Sequence, residues 1–373
     1  MRHTFLLFFL LLLELSFGAG AADTTPKGPA AVAAQADAAR LPVFQPRLGR
    51  SRPLVAIVAE NYYTELTDYV VPYGILSASG VADVVALATQ AGPIRMFPAP
   101  MSIEPQATTA AFDSQHPEGA DYVIVPAVHR DDDPTLVAWV AAQARKGAIV
   151  VGVCDGVWVL GHAGLLNGRK ATGHWYSYEK LGKAFPQAHW LRQTRYVADG
   201  PVVTTTGVSA TIPVSLALVE AIAGSARALA LAASLGLPQG WSAQHPSERF
   251  ELHLGHKLTV AGNVLAFWSH ESVGVALEPG VDEIALALQA EVYSATFRST
   301  AYTVAASKAA VKTRRGLFII PDRVAGPDAP RRMLPALDAV PLRALDLALQ
   351  GIATDYGVKT AQWVAAQMEY PGY

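Results

Sequence analysis

From residue 54 onward, short continuous apolar runs alternate with longer stretches of helical spacing. LVAIVA (Leu54–Ala59) is six small and branched apolar residues, long enough for a strand buried on both faces and too short for a helix. A loop over 60–67 follows, then a helix over 69–79 that stops at Gly80. VADVVALAT (81–89) and YVIVP (122–126) read as further strands, and 134–145 as a helix. A strand over 148–153 leads into a helix over 157–166, with Gly168 close to its end. A hairpin around Asp199-Gly200 and a helix over 212–222 complete the series. Strands alternating with helices call for a mainly parallel sheet covered on both faces, so the class is α/β.

After Gly224 the pattern restarts. SVGVALEPGVDEIALALQAEVYSAT repeats the strand, short loop and helix of residues 55–79. AYTVAAS and GLFIIPD supply two more strands, and 342–369 one or two closing helices. Residues 225–373 thus read as a partial, degenerate second α/β unit, a separate domain or an extension packed on the first.

Chemistry concentrates at 147–175. The strand ends at Cys154, the single cysteine of the chain, and Gly152 and Gly156 bracket it as G-x-C-x-G. A strand turning abruptly into a helix needs residues without a Cβ there, and the same spacing around serine makes a nucleophile elbow. His174 stands twenty residues downstream. A lone thiol at an elbow with an imidazole available is a candidate for nucleophilic catalysis. Set against this, an isolated cysteine among apolar residues is commonly a small buried hydrophobe.

Composition fits a compact fold. The 373 residues are 51% hydrophobic and 16% charged, with a net charge of −2, which gives no electrostatic case for nucleic acid as a partner. Arg2 and His3 precede an apolar run over 5–13, and Ala19-Gly20-Ala21 offers a small-x-small cleavage site. Residues 1–22 are expected to be a signal peptide, which makes the protein periplasmic or secreted. The alternative is an uncleaved anchor that would hold it at the membrane. Residues 23–52, rich in alanine and proline, read as a flexible tether before a first domain over 53–224.

The segment VCDGVWVLGHAGLLNGRKATGHW resembles the cysteine elbow of the ThiJ/PfpI family, which is class I glutamine amidotransferase-like. It is nearest the branch of isonitrile hydratases and the N-terminal domains of AraC-type transcriptional regulators, through the run AGLL-x-G-R-x-A-T-x-HW. DYVVP (68–72), YVIVP, TTGVSA (205–210) and MEYPG near the C-terminus agree with it more weakly. The resemblance covers residues 54–224. It implies a flavodoxin-like sheet, Cys154 as nucleophile, His174 beside the thiol and Asp68 as the acid that orients or protonates it. The backbone amides of Asp155 and Val128 would form the oxyanion hole. Asp68 reads equally well as a helix N-cap, and His174 as a structural histidine.

Two features depart from the family pattern. Ala127-Val128 stands where many members have a glycine pair, and Asp155 sets a carboxylate directly after the nucleophile. Elsewhere the signals are weaker. His253 and His256 lack further ligands at metal spacing, so neither a metal nor another cofactor is expected. Asp131–133 reads as a turn with an N-cap, Glu271, Asp282 and Glu283 as solvated loop acids, with Asp282 at the place that corresponds to Asp68 in the partial repeat. Trp241, Trp268 and Trp363 read as core or domain-contact aromatics.

Three functions are open at this point. One is an exported cysteine-dependent hydratase or hydrolase acting on a small electrophilic substrate. The second is a ligand- or redox-sensing module without turnover, derived from the regulators but with only one weakly basic helix pair for DNA. The third is an interaction protein whose elbow is a relic. The partner expected is a small molecule, with a homodimer as the self-association to expect.

Overall fold

The computed structural model describes residues 39–337 and 340–372. The expected export segment, and the tether up to residue 38, lie outside the described residues. The rest of the tether is not free: Arg47 Nε and Arg50 Nη1 reach the two oxygens of the buried Asp121 at 2.8 and 2.9 Å. The Phe44 amide also donates to the carbonyl of Ala221 at 2.9 Å. Two arginines on one buried carboxylate hold this segment against the sheet.

The first unit runs β1 (Leu54–Ala59), β2 (Thr64–Glu65), α1 (Leu66–Ser79), β3 (Asp83–Ala88), β4 (Ile94–Phe97), β5 (Ser102–Glu104), β6 (Ala107–Thr108), α2 (Thr109–Gln115) and β7 (Tyr122–Val125). It continues through α3 (Pro134–Arg145), β8 (Ile149–Gly152), α4 (Gly156–His162), β9 (Lys170–Ala171), α5 (Tyr178–Ala184), β10 (His189–Trp190), β11 (Tyr196–Asp199), β12 (Val202–Thr205) and α6 (Thr211–Ala223). Seven strands form one sheet in the order β11-β12-β8-β7-β1-β3-β6, parallel except for β11. Leu54, Ala56 and Val58 face Leu136, Val140 and Leu160 of α3 and α4. The alternate residues of β1 face the other side, where α1 and α6 pack together. Every residue of β1 is buried, which is why its run is uninterrupted. The flavodoxin-like expectation therefore holds.

After α7 (Ser225–Leu235) and α8 (Leu254–Leu265) come β13 (Glu271–Ala276), α9 (Glu283–Ser294), β14 (Ser299–Ala305), β15 (Val311–Lys312), β16 (Phe318–Ile320), β17 (Arg323–Val324) and β18 (Arg332–Met333). The chain closes with α10 (Arg343–Tyr356) and α11 (Val358–Gln367). The second sheet has the order β17-β14-β13-β18, the counterpart of β6-β3-β1-β7 in the first. β13, α9 and β15 each begin 217 residues after β1, α1 and β4.

Counterparts also touch. α1 packs on α9, and β5 pairs antiparallel with β16 so that Ile103 faces Ile319. Like surface against like surface is the signature of a local two-fold, so the two units form an internal pseudo-dimer. One five-stranded sheet, β15-β16-β5-β4-β2, is built from both.

Three expectations change in detail. The first helix starts at Leu66 with Glu65 as its N-cap, so Asp68 lies in the first turn and is not the cap. The counterpart of Asp282, which caps α9, is accordingly Glu65 and not Asp68. Asp282 and Glu283 are buried and paired with Arg314 and Arg315, not solvated acids. Trp268, expected in a core, is 77% exposed, whereas Trp363 is buried.

Candidate active site

The site lies at the carboxyl ends of β1, β7 and β8, beside the point where the strand order reverses, the usual crevice of such a sheet. β8 delivers Cys154, whose φ of +53° is left-handed, a conformation that strains any residue with a Cβ. The strain is held by neighbours. The Cys154 amide donates to Thr205 Oγ1 at 3.0 Å, and the Val153 amide donates to the carbonyl of Val125 at 2.9 Å. Gly152 and Gly156 permit close packing here: a Cβ on Gly152 would meet Leu160 Cδ2 at 3.0 Å, and Gly156 sits tight against the end of β7. The elbow is present.

Cys154 is 6% exposed. Burial first, then the carboxyls of Asp68, Asp155 and Glu65, push its thiol well above the usual value, opposed by the Asp155 amide. That amide is one of the two expected oxyanion donors, and it faces the sulfur. The second, Val128, is buried at an isolated bridge to Thr64, and its amide has no hydrogen-bond partner among the described residues. The neighbouring Ala127 amide is taken: it donates to Asp68 Oδ2 at 3.1 Å. The bulk of Ala127-Val128 thus leaves one backbone donor unengaged at the end of β7.

Asp68 is fully buried, and its Oδ1 has no hydrogen-bond partner. Burial, and beyond it the charges of Glu291 and Asp155, raise its pKa well above the carboxylate range. Burial therefore favours its protonated form, the form able to give a proton. Asp155 accepts from Ser177 Oγ at 2.7 Å, which points its carboxylate along α5. Burial raises its pKa as well, and the nearby His174 is the largest effect opposing this.

His174 makes its ring hydrogen bond to the C-terminal segment. Its Nε2 lies 3.0 Å from the carbonyl oxygen of Gln367, so this nitrogen carries the proton and donates. No hydrogen bond joins it to Cys154 among the described residues. The adjacent Trp175 is tied to the same segment, Nε1 to the Ala366 carbonyl at 2.9 Å and its amide to Glu369 Oε1 at 3.0 Å. The other oxygen of Glu369 accepts the Gly207 amide. The C-terminal MEY segment thus clamps the HW pair and the TTG turn together.

The structure brings Cys154, Asp68, Asp155 and the Ala127-Val128 loop together at the ends of β1, β7 and β8, with His174 bonded to the end of the C-terminal helix. Sequence reasoning missed Glu65, Glu291 and Glu369. Only Glu369 had a signal, since it lies within the quoted MEYPG.

The DJ-1/PfpI family pattern matches residues 54–221. Over 86 residues the chain is 37% identical to the HTH-type transcriptional regulator CdhR of Pseudomonas aeruginosa, covering 23% of this chain and 25% of that protein. Over 96 residues it is 36% identical to an isonitrile hydratase of Pseudomonas putida, covering 25% and 40%. The chain thus spans a quarter to two fifths of the length of these relatives. Drosophila melanogaster DJ-1beta aligns with a TM-score of 0.44 and 16% identity, over 49% of this chain and 97% of that one. A ThiJ/PfpI family protein from Pseudomonas syringae gives 0.44 and 22%, over 51% and 80%. Residues 54–221, a little under half of the chain, thus carry the DJ-1/PfpI family pattern.

Proposed function

We infer that the protein is a cysteine-dependent hydratase or hydrolase of a small electrophilic substrate. The observation that carries this is the strained Cys154 elbow with the buried carboxyl of Asp68 beside it, which burial shifts toward its protonated form, and the Asp155 amide turned to the sulfur. Sulfur would bond to the electrophilic carbon while Asp68 hands its proton to the substrate and regains one from the thiol. Water then adds to the same carbon, the carbon–sulfur bond breaks and the thiol is restored. For an isonitrile, the substrate class named for one relative, the sum is addition of one water. For an amide the carbon–nitrogen bond also breaks, the amine leaves with the proton from Asp68 and water hydrolyses the remaining thioester. For an α-oxoaldehyde the hemithioacetal first moves a proton from the aldehyde carbon to its neighbour, giving a thioester that water hydrolyses to the hydroxy acid. The amides of Asp155 and Val128 would receive negative charge developing on the substrate.

A sensing role without turnover is the second reading. It is favoured by the thiol's neutral, nearly covered state and by relatives that are regulators. Export from the cytoplasm is part of the proposal and rests on the first 22 residues alone.

The deciding experiment assays purified protein and Cys154→Ala on isonitriles, α-oxoaldehydes and amides. Thiol-dependent turnover supports the enzyme. Ligand-induced stabilisation without turnover, lost in Cys154→Ala, supports the sensor and overturns catalysis.

A further inference from the structure

The two units differ where their helices meet. Pseudo-two-fold symmetry relates Gly74 to Glu291 and Thr67 to Ile284. At one end Ile284 fills the space a Gly74 side chain would occupy, its Cγ1 2.4 Å from where that Cβ would be. At the other end, the one with the cysteine, Glu291 reaches across from α9. Its Oε2 accepts the Thr67 amide at 2.9 Å and the Thr67 hydroxyl at 2.5 Å. Glu65 stands beside it: Glu65 Oε2 accepts the Asp68 amide at 2.5 Å, and its two oxygens lie 3.2 and 3.3 Å from the Thr67 hydroxyl.

Glu65, Asp68 and Glu291 are all buried. In the second unit, the acids at the same helix start are neutralised: Asp282 binds Arg314 and Arg315, and Glu283 binds Arg315. The corresponding stretch of the first unit is Phe97-Pro98, which brings no cation. Three buried carboxyls without a cation cannot all ionise. One that accepts two donors is the best seat for a single negative charge, and that one is Glu291.

We propose that Glu291 is a positioning residue lent by the second unit. It holds the one negative charge of this cluster at its far side and so leaves Glu65 and Asp68 protonated next to Cys154. The groups that face Glu291 are Glu65 and Thr67, with Asp68 behind them. Asp155 faces Asp68 and the thiol from α4. The directions agree: burial raises all three acids, and the bond from Glu65 to Glu291 lowers Glu291 while raising Glu65. Asp68 and Glu65 raise the thiol when they are ionised, as Asp155 does, so a charge kept on Glu291 spares the sulfur that effect.

This deepens the reading of Cys154 as the reactive group, and its test needs no substrate. The rate of Cys154 alkylation by iodoacetamide at pH 8 follows the thiolate fraction. In Glu291→Gln the charge must move to Glu65 or Asp68, nearer the sulfur, and alkylation slows about tenfold, one unit of thiol pKa. Glu65→Gln removes a group that is already neutral and stays within about twofold of wild type. Thr67→Val, which removes one of the two donors, slows the reaction by a smaller factor in the same direction and serves if Glu291→Gln does not fold. A native-like Glu291→Gln that alkylates as fast as wild type or faster overturns the proposal, as does a Glu65→Gln that alkylates about tenfold faster. Absence of turnover on every substrate would overturn the proposed function and leave this inference standing.

Discussion

Gly156 lies directly against the carbonyl of Val125: a Cβ at Gly156 would sit 2.1 Å from that oxygen and 2.8 Å from the Pro126 oxygen. Both obstacles are backbone, at the end of a central strand, so neither yields without moving the sheet. Gly156→Ala is expected to lower stability by about 3 kcal/mol or more through overpacking. Chemical denaturation checks it, and an unchanged midpoint would show that the elbow tolerates a side chain.

Asp68 offers a separation of binding from proton transfer. Asparagine keeps the oxygen that accepts the Ala127 amide and is neutral, the state toward which burial shifts Asp68. Asp68→Asn should therefore alkylate at Cys154 within about twofold of wild type, because no charge changes near the sulfur. Its turnover on any substrate found should fall by about 10²–10⁴, since an amide cannot pass a proton. Parallel alkylation and steady-state rates decide the matter; equal losses in both would place Asp68 in holding the elbow, not in chemistry.

Glu369 is buried with a φ of +51°, and its carboxylate gathers the amides of Trp175 and Gly207. Glu369→Ala leaves two buried amides unpaired and should cost about 2–4 kcal/mol. It should also release Trp175, and with it His174. Denaturation followed by tryptophan fluorescence reads both effects; a stable protein with an unchanged emission maximum would contradict the clamp.

His245 predicts a pH dependence. Its ring stacks on Phe250 with centroids 5.0 Å apart, Glu369 Oε2 lies 3.7 Å from its Nε2, and neither ring nitrogen has a hydrogen-bond partner among the described residues. Burial first, then the positive charges of Arg195 and His174, lower its pKa to about 3. The unfolded chain protonates this imidazole near its ordinary value, so between roughly pH 6.5 and 3 the unfolded state holds more protons. Stability from this residue is then lost as pH falls, by about 1.4 kcal/mol per unit. Relative to His245→Leu, in which the other titrating groups cancel, the wild type should lose that slope below pH 6.5. Parallel pH profiles of the two proteins would refute a buried neutral His245.

Asp121 holds Arg47, Arg50 and the Leu54 amide. Asp121→Ala should free the residues before β1 and open Arg47 and Arg50 to trypsin. Limited proteolysis with mass spectrometry reports it, with uncut arginines as the contrary outcome.

Local features were legible in the sequence because local physics sets them. The unbroken run of β1, the glycine bracket of Cys154 and the restart after residue 270 each follow from a few neighbouring side chains. Asp68 shows the limit: one turn of helix decided that Glu65 caps and Asp68 faces the sheet, and both acids fit the pattern. His174 was placed by its motif beside the thiol, yet its partner is a carbonyl 193 residues away. Glu291 lies 224 residues from Thr67, and no spacing rule connects them. Trp268 shows the reverse failure, since an aromatic residue does not report which side of its helix is covered.

The antiparallel pairing of Ile103 with Ile319 carries a further consequence. A chain ending before β13 would leave β5 as a naked edge and the outer face of α1 uncovered, a template for pairing with any other strand. The second unit, although it carries no cysteine, therefore acts as a built-in chaperone for the first. It fills in one molecule the place that a neighbouring copy would otherwise compete for.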